Sequence, residues 1–370
     1  MNMSDERLFE IGLKQEKVDK LLEENDLDGM IFSTNANFKW LSCGGVNDVI
    51  KNDNTSLVYL FFTKGKRYLI ASRSDSSRVM EEELDGLGYD SLLYNWYDED
   101  VLDGIKKTDF KGRLGADIQI ADAAVLSDKL ASTRAVLTEP ELKRYKALCR
   151  EYTKILTGYC KTLKPGLTEK EIAAGLAFEG NKLGMRFPVL MVGSDERISS
   201  YRHPCATFKK VSKYVLFATV IEREGICANV SRSIYFGDPS SDLVQKQDAV
   251  NQIISIYQHN SRPGVTLGEL FELGKKAYGE VGHGDEWKNH LQGGISGYAP
   301  LEFLTIEGSK VKVAENNIMG WNPTIKGAKS EDPIHITKDG PVQYTIDDDW
   351  PSKEYKVDGK GYIRPLIMGI

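Results

Sequence analysis

The 370-residue sequence predicts an α+β protein of two domains, the second built on a duplicated unit. The first observation behind this is a repeat. Lys164-Pro-Gly-Leu-Thr-Glu-Lys-Glu-Ile172 is echoed by Arg262-Pro-Gly-Val-Thr-Leu-Gly-Glu-Leu270. In each copy Pro-Gly closes one helical segment. A Thr three residues ahead of a Glu then opens the next, the pattern of a capping box. Helical patterns flank both copies: Pro140–Thr162 with Glu171–Leu183, and Leu243–Asn260 with Glu269–Glu280. A helix–turn–helix unit used twice at long interval points to duplication. The second observation is a change of texture near residue 138, from a compact α/β pattern to long helices alternating with strand runs. The boundary is therefore placed between 1–137 and 138–370.

Within the first part, apolar residues Leu8, Ile11, Val18, Leu21 and Leu22 recur at helical spacing over Ser4–Glu24. Asp28-Gly29 turns into a strand over Met30–Ser33. Leu57–Thr63 and Arg67–Ser72, separated by Lys64-Gly65-Lys66, read as a hairpin. A helix over Ser77–Leu84, strands at Leu92–Tyr94 and Arg113–Ile118, and a helix over Ile120–Leu130 follow, with Ser132–Thr138 as the connection. In the second part, Val215–Glu222 and Ile226–Phe236 form a strand pair turning at Arg223-Glu224-Gly225. Ile318–Ile325 and Ile334–Thr337 read as strands around the polar loop Lys326–Asp332.

Composition excludes several classes. Hydrophobic residues make up 41% and charged residues 28%, as in an ordinary globular protein. The formal net charge of −6 offers no basic field for nucleic acid or anionic lipid. No apolar run approaches the length of a membrane span, and the N-terminal residues lack the pattern of a secretory signal. Five scattered cysteines without a Cys-x-x-Cys pair argue for reduced thiols, hence a cytoplasmic location.

The order and spacing of these segments resemble the superfamily of creatinase, aminopeptidase P and methionine aminopeptidase. The resemblance covers nearly the whole chain. Residues 8–135 are similar to the creatinase-type N-terminal α/β domain, including the Asp28-Gly-Met-Ile-Phe strand and the Asn37-containing loop. Residues 139–370 resemble the duplicated catalytic-type domain known as the pita-bread fold. The resemblance implies a homodimer in which the N-terminal domain closes over a neighbour's pocket, with Asn37–Trp40 the residues expected to reach across.

Peptidases of that superfamily hold two divalent ions with two Asp, one His and two Glu. Carried over residue by residue, those positions fall on Ala218, Asn229, Gly294, Asn322 and Glu331. Only Glu331 remains a ligand of the required kind. One carboxylate cannot neutralise two dications, so neither metal nor other cofactor is expected. His203, in Tyr201-Arg-His-Pro204, matches the histidine beside the superfamily's reaction centre. Creatinase, which resembles these peptidases in fold, uses no metal and relies on that histidine for proton transfer. By this resemblance His203 and Glu331 are the catalytic candidates, since imidazole titrates near neutral pH. Arg202 and Arg232 are expected to clamp a substrate carboxylate. Asn229 and Asn322 would bind an amide or guanidino group, and Tyr298 would offer a hydroxyl. The plainer reading of Arg232 and Glu331 is a structural bridge between the two. His290 reads as pocket wall.

Three functions follow. The first is metal-independent hydrolysis of a C–N bond in a small, carboxylate-bearing or dipeptide-like substrate. The second is binding of a peptide or metabolite without turnover. The third is an Xaa-Pro peptidase with altered metal ligands. Nucleic acid and membrane are not expected as partners.

Overall fold

A computed structural model describes residues 3–47, 49–51 and 53–370. It divides into two compact units, Met1–Arg134 with Glu224–Ile226, and Ala135–Arg223 with Cys227–Ile370. Both mix helix and sheet, as an α+β sequence should.

The first unit carries helices α1 (Met3–Glu24), α2 (Asn35–Leu41), α3 (Arg73–Arg78), α4 (Val101–Lys106) and α5 (Ser127–Arg134). Its strands are β1 (Gly29–Thr34), β2 (Thr55–Thr63), β3 (Lys66–Ser72), β4 (Asp90–Tyr94), β5 (Leu114–Ala116) and β6 (Ala124–Val125), in the order β4-β3-β2-β1-β5-β6. The β2–β3 hairpin forms as the sequence reads, with Gly65 at φ 70° in its turn. Two expectations need correction, and one helix went unread. The Ile120–Leu130 segment is mostly strand β6 and loop, and its helix starts only at Ser127. Val101–Lys106 is a helix the apolar pattern hid, opened by a capping box of Asp100 and Asp103. Asn37–Trp40 form the buried body of α2, not an exposed loop. Asn37 Nδ2 donates to Asp117 at 2.8 Å, and Arg134 donates to Asn37 Oδ1 at 2.7 Å.

The second unit opens with the long helices α6 (Glu139–Cys160) and α7 (Glu169–Asn181), then β7 (Arg186–Ser194), α8 (Glu196–Ser200), β8 (Tyr214–Arg223) and β9 (Ile226–Tyr235). The turn between β8 and β9 has both central residues at positive φ, Glu224 at 52° and Gly225 at 84°, as a tight hairpin requires. Next come α9 (Ser241–Asn260), α10 (Leu267–Glu280), β10 (Gly293–Ser296), β11 (Phe303–Leu304) and β12 (Ile318–Trp321). Hairpin β13 (Thr324–Ile325)–β14 (Ala328–Lys329), β15 (Asp332–Thr337), β16 (Gly340–Val342), hairpin β17 (Ser352–Val357)–β18 (Lys360–Pro365) and β19 (Met368–Gly369) complete the chain. Two sheets result, β19-β9-β8-β7 and β11-β10-β12-β15-β16.

The duplication is visible atom by atom. Thr168 and Thr266 each accept from the backbone of the Glu three residues on, and each Glu side chain returns to the Thr N–H at 2.7 Å. Thr168 bridges Lys210 as Thr266 bridges Lys312. Gly166 donates to Val211 O at 2.9 Å, and Gly264 to Val313 O at 2.8 Å. Each repeat therefore packs its helix pair on its own sheet. In the second copy, Trp321 stacks on Tyr257 at 4.1 Å between ring centroids, among Val250, Ile254, Met319 and Ile334. Truncating Trp321 to Ala would cost about 3–5 kcal/mol.

Candidate functional site

Two carboxylates, Glu169 buried and Asp195 partly buried, fix the loop that carries His203. Glu169, in the first turn of α7, accepts from Ser194 Oγ (2.8 Å), Arg197 Nε (3.0 Å), Thr207 N (2.9 Å) and Thr207 Oγ1 (2.7 Å). Burial raises its pKa, but those hydrogen bonds and the Arg197 charge outweigh burial and hold it below the usual range. Asp195 sits at φ 51°, ψ −126°, a backbone conformation costly for a residue with a Cβ. Its carboxylate compensates by accepting from the N–H groups of Ser212, Lys213 and Tyr214 and from Lys209 Nζ, all at 2.8–2.9 Å. At the near end Pro204 lies over Gly193, where a Cβ would come within 2.4 Å of its ring.

His203 is exposed on this clamped loop, and its ring packs on that of His290 with centroids 4.8 Å apart. The two Nε2 atoms are 3.0 Å apart. His290 Nδ1 is hydrogen-bonded to the Leu291 carbonyl, which only accepts. The proton of neutral His290 is therefore on Nδ1, and its Nε2 is a lone pair. His203 Nε2 must supply the hydrogen between the rings, which leaves His203 Nδ1 as the basic nitrogen. Burial, with help from the Lys329 charge, pushes His290 down to about 2. The same two causes, in the same order, lower His203 from its ordinary value.

Strand β14 delivers Lys329, and Glu331 follows two residues later, so that both side chains lie on one side of the chain. Lys329 is 4% exposed and Glu331 5%, with Nζ 3.5 Å from Glu331 Oε2. Burial depresses the Lys329 ammonium despite Glu331. Burial also raises the Glu331 carboxyl, against the opposing effects of Lys329 and of a hydrogen bond from the Asn322 side chain. Asn322 is buried, and its Oδ1 has no hydrogen-bond partner. Arg202 stands at the edge of the group, paired with Glu286, and its charge acts on both Lys329 and His290.

The structure thus groups His203, Arg202, Asn322 and Glu331, and adds Lys329 and His290. It leaves out three expected members. Arg232 is committed to Asp332 at 3.0 Å and to the Ser231 and Thr345 carbonyls, beside the buried Arg364–Asp332 pair, so it is not placed to clamp a substrate. Its partner is Asp332, not Glu331. The Tyr298 hydroxyl is spent on Glu141 at 2.6 Å. Asn229 is buried against Ser296 and Gly320, with its amide 3.5 Å from the Pro300 carbonyl. A cleft of 460 Å³ elsewhere in the unit, beside Asp195, Lys213 and Lys246, holds none of these groups. Asp195 and Lys209, and Asp242 and Lys246, neutralise each other on its walls.

Residues 143–338, more than half of the chain, match metallopeptidase family M24, and residues 14–149 match the creatinase/prolidase N-terminal domain. The chain belongs to metallopeptidase family M24. An uncharacterized peptidase of Staphylococcus saprophyticus is 22% identical over 226 residues, 58% of this chain and 64% of that protein. The match thus spans just under two thirds of that relative's length. Among solved structures, the fold is shared with a dipeptidase from Pyrococcus horikoshii (TM-score 0.76, 17% identity, covering 96% of this chain and 99% of that one). A prolidase from the same organism gives 0.73 at 19% identity, covering 90% and 98%. The N-terminal domain of the FACT complex subunit SPT16 from Eremothecium gossypii gives 0.66 at 12% identity, covering 91% and 96%.

The M24 name implies divalent ions, and the residues here do not fit a pair of them. Among the described residues no group of three or more His, Cys, Asp or Glu is arranged to hold a metal. A Cβ at Gly294 would lie 2.0 Å from the Phe303 carbonyl, so strand β11 fills the space a side chain there would need. Lys329 Nζ lies 3.5 Å from Glu331, the carboxylate that the resemblance places at a ligand position, and its ammonium opposes a cation there.

Proposed function

We propose that the protein hydrolyses a C–N bond of amide type in a small, carboxylate-bearing substrate without a metal ion. The observation that carries this reading is the His203–His290 contact beside Lys329 and Glu331, at positions where M24 peptidases would place metal chemistry. His203 Nδ1 is the base: it takes a proton from water as the water oxygen attacks the carbonyl carbon. Glu331, whose burial favours the carboxylic acid, gives a proton to the departing nitrogen as the C–N bond breaks. Transfer of the first proton from His203 to Glu331 restores the starting state. Arg202, exchanging Glu286 for a ligand, takes over the carboxylate-binding role expected of Arg232. The names of the similar prolidase and dipeptidase support amide-bond hydrolysis in general; the donor set speaks against the metal-dependent Xaa-Pro version of it.

Binding without turnover is the second reading, favoured by the shared fold of the SPT16 domain, which is described as part of a complex. One experiment separates all three. Protein purified without added metal is assayed by elemental analysis and against a panel of small amides, ureas and Xaa-Pro dipeptides. Chelator-insensitive turnover supports the proposal. Near two equivalents of metal with chelator-sensitive Xaa-Pro cleavage would establish the peptidase, and binding with no turnover the second reading. A homodimer, expected from the resemblance, is checked by sedimentation velocity. A cytoplasmic location rests on thiol usage, and no described helix is long and apolar enough to cross a membrane.

A further inference from the structure

Asn322 and Lys329 present complementary halves of a recognition unit that the hydrolytic scheme leaves unused. Asn322 is 7% exposed, and its side-chain amide lies beside the Glu331 carboxyl group. Its Oδ1 is a buried acceptor with nothing to accept from. A buried carbonyl oxygen without a donor costs about 1–3 kcal/mol, so a ligand N–H placed there has that much to recover. Lys329 has three N–H bonds, and its recorded side-chain partner is Glu331 at 3.5 Å, which leaves donors for an oxygen. Both residues adjoin Glu331, so an acceptor and a cationic donor share one neighbour.

We propose that Lys329 and Asn322 together recognise a carbonyl group bearing an N–H, with Lys329 Nζ facing the oxygen and Asn322 Oδ1 accepting from the nitrogen. The substrates are therefore primary or secondary amides or ureas, and prolyl bonds, whose nitrogen carries no hydrogen, are rejected. This rests on the C–N hydrolase reading and specifies its substrate class. As water adds, the carbonyl electron pair moves to oxygen, and the Lys329 ammonium faces that developing charge as a fixed electrostatic partner. A site built to hydrogen-bond a group discriminates strongly against analogues lacking it, because its own polar atom is left unpaired.

The test uses matched pairs differing only by N–H against N–CH₃: N-acetylglycine with N-acetylsarcosine, N-carbamoylglycine with its N-methyl form, and Gly-Gly with Gly-sarcosine. Binding is followed by NMR of the His203 and His290 ring resonances. The expected result is that the N–H member of at least one pair binds about tenfold or more tightly. Asn322→Ala should erase that difference, while Lys329→Met should weaken both members together. Lys329→Gln serves as the second variant if Lys329→Met fails to fold. Equal binding within every pair, or no saturable shift with any probe, overturns the proposal. Discriminating binding without turnover leaves the recognition unit standing and defeats the hydrolase reading. Turnover that is indifferent to N-methylation does the reverse.

Discussion

His203 and His290 face each other through their Nε2 atoms at 3.0 Å, one ring exposed and the other buried. The contact assigns them different tasks. Burial and the Lys329 charge keep His290 neutral and the Leu291 carbonyl holds its proton on Nδ1, so it serves to hold His203 in the tautomer whose Nδ1 is basic. In the proposed mechanism His203 is the proton acceptor, and His290 positions it.

Replacing His203 by Gln should reduce turnover by roughly 10²–10⁴-fold, the usual worth of a placed general base. Because His203 is exposed, the melting temperature should stay close to wild type. His290→Phe keeps the ring contact but removes the acceptor for His203 Nε2–H. It should lower kcat more than it raises KM and change the pH profile, which a purely structural role would not do.

The Lys329 ammonium disfavours imidazolium in both rings. Lys329→Met should therefore raise the pKa of His203 and of His290, read as displaced ring resonances in an NMR titration. In wild type the acid limb of the rate profile should lie below pH 6.5, the ordinary imidazole value, since His203 is lowered from it. The variant's limb should move upward. An unchanged His203 titration would show that Lys329 does not act on the ring.

Much of this was legible in the sequence. The twin capping boxes and the β8–β9 hairpin announce themselves because caps and turns are local signals, whereas His203 stood out only through the family resemblance. The misplaced residues failed for a non-local reason. Arg232 reads as a free cation until Asp332, a hundred residues away, appears beside it. Tyr298 likewise gives no hint of Glu141. Lys329 lies in a polar run that reads as a solvated loop. Only the pairing of Thr324 with Lys329 turns it into a hairpin and buries the side chain beside Glu331. The spacing of two residues between Lys329 and Glu331 was the one available clue, because in extended chain it puts both on the same side.

The purified protein should carry no stoichiometric divalent metal, and Gly294→His should not create a metal site. The new Cβ would meet the Phe303 carbonyl at 2.0 Å, so β11 would have to leave β10. Overpacking of this kind costs about 1–3 kcal/mol or more, and the variant should melt several degrees lower. Elemental analysis after dialysis against manganese or cobalt gives the second readout. A variant that gains metal without losing stability would mean the strand yields easily.

Glu169→Gln should loosen the loop that carries His203. The carboxylate is fully buried and serves Ser194, Arg197 and Thr207 at once. Removing its charge should cost on the order of 2 kcal/mol or more at neutral pH, the scale of hydrogen bonds to a charged group. The sign with pH follows from the lowered carboxyl pKa. The contribution is complete above the unfolded-state value and is lost as pH falls through the folded one. The wild type and Glu169→Gln should therefore differ in urea midpoint at pH 7 and converge toward acid pH. A gap that stays constant down to acid pH would assign the effect to packing alone. If the carboxylate does hold the loop, kcat should fall along with stability, because the ring that accepts the proton hangs between Arg197 and Thr207.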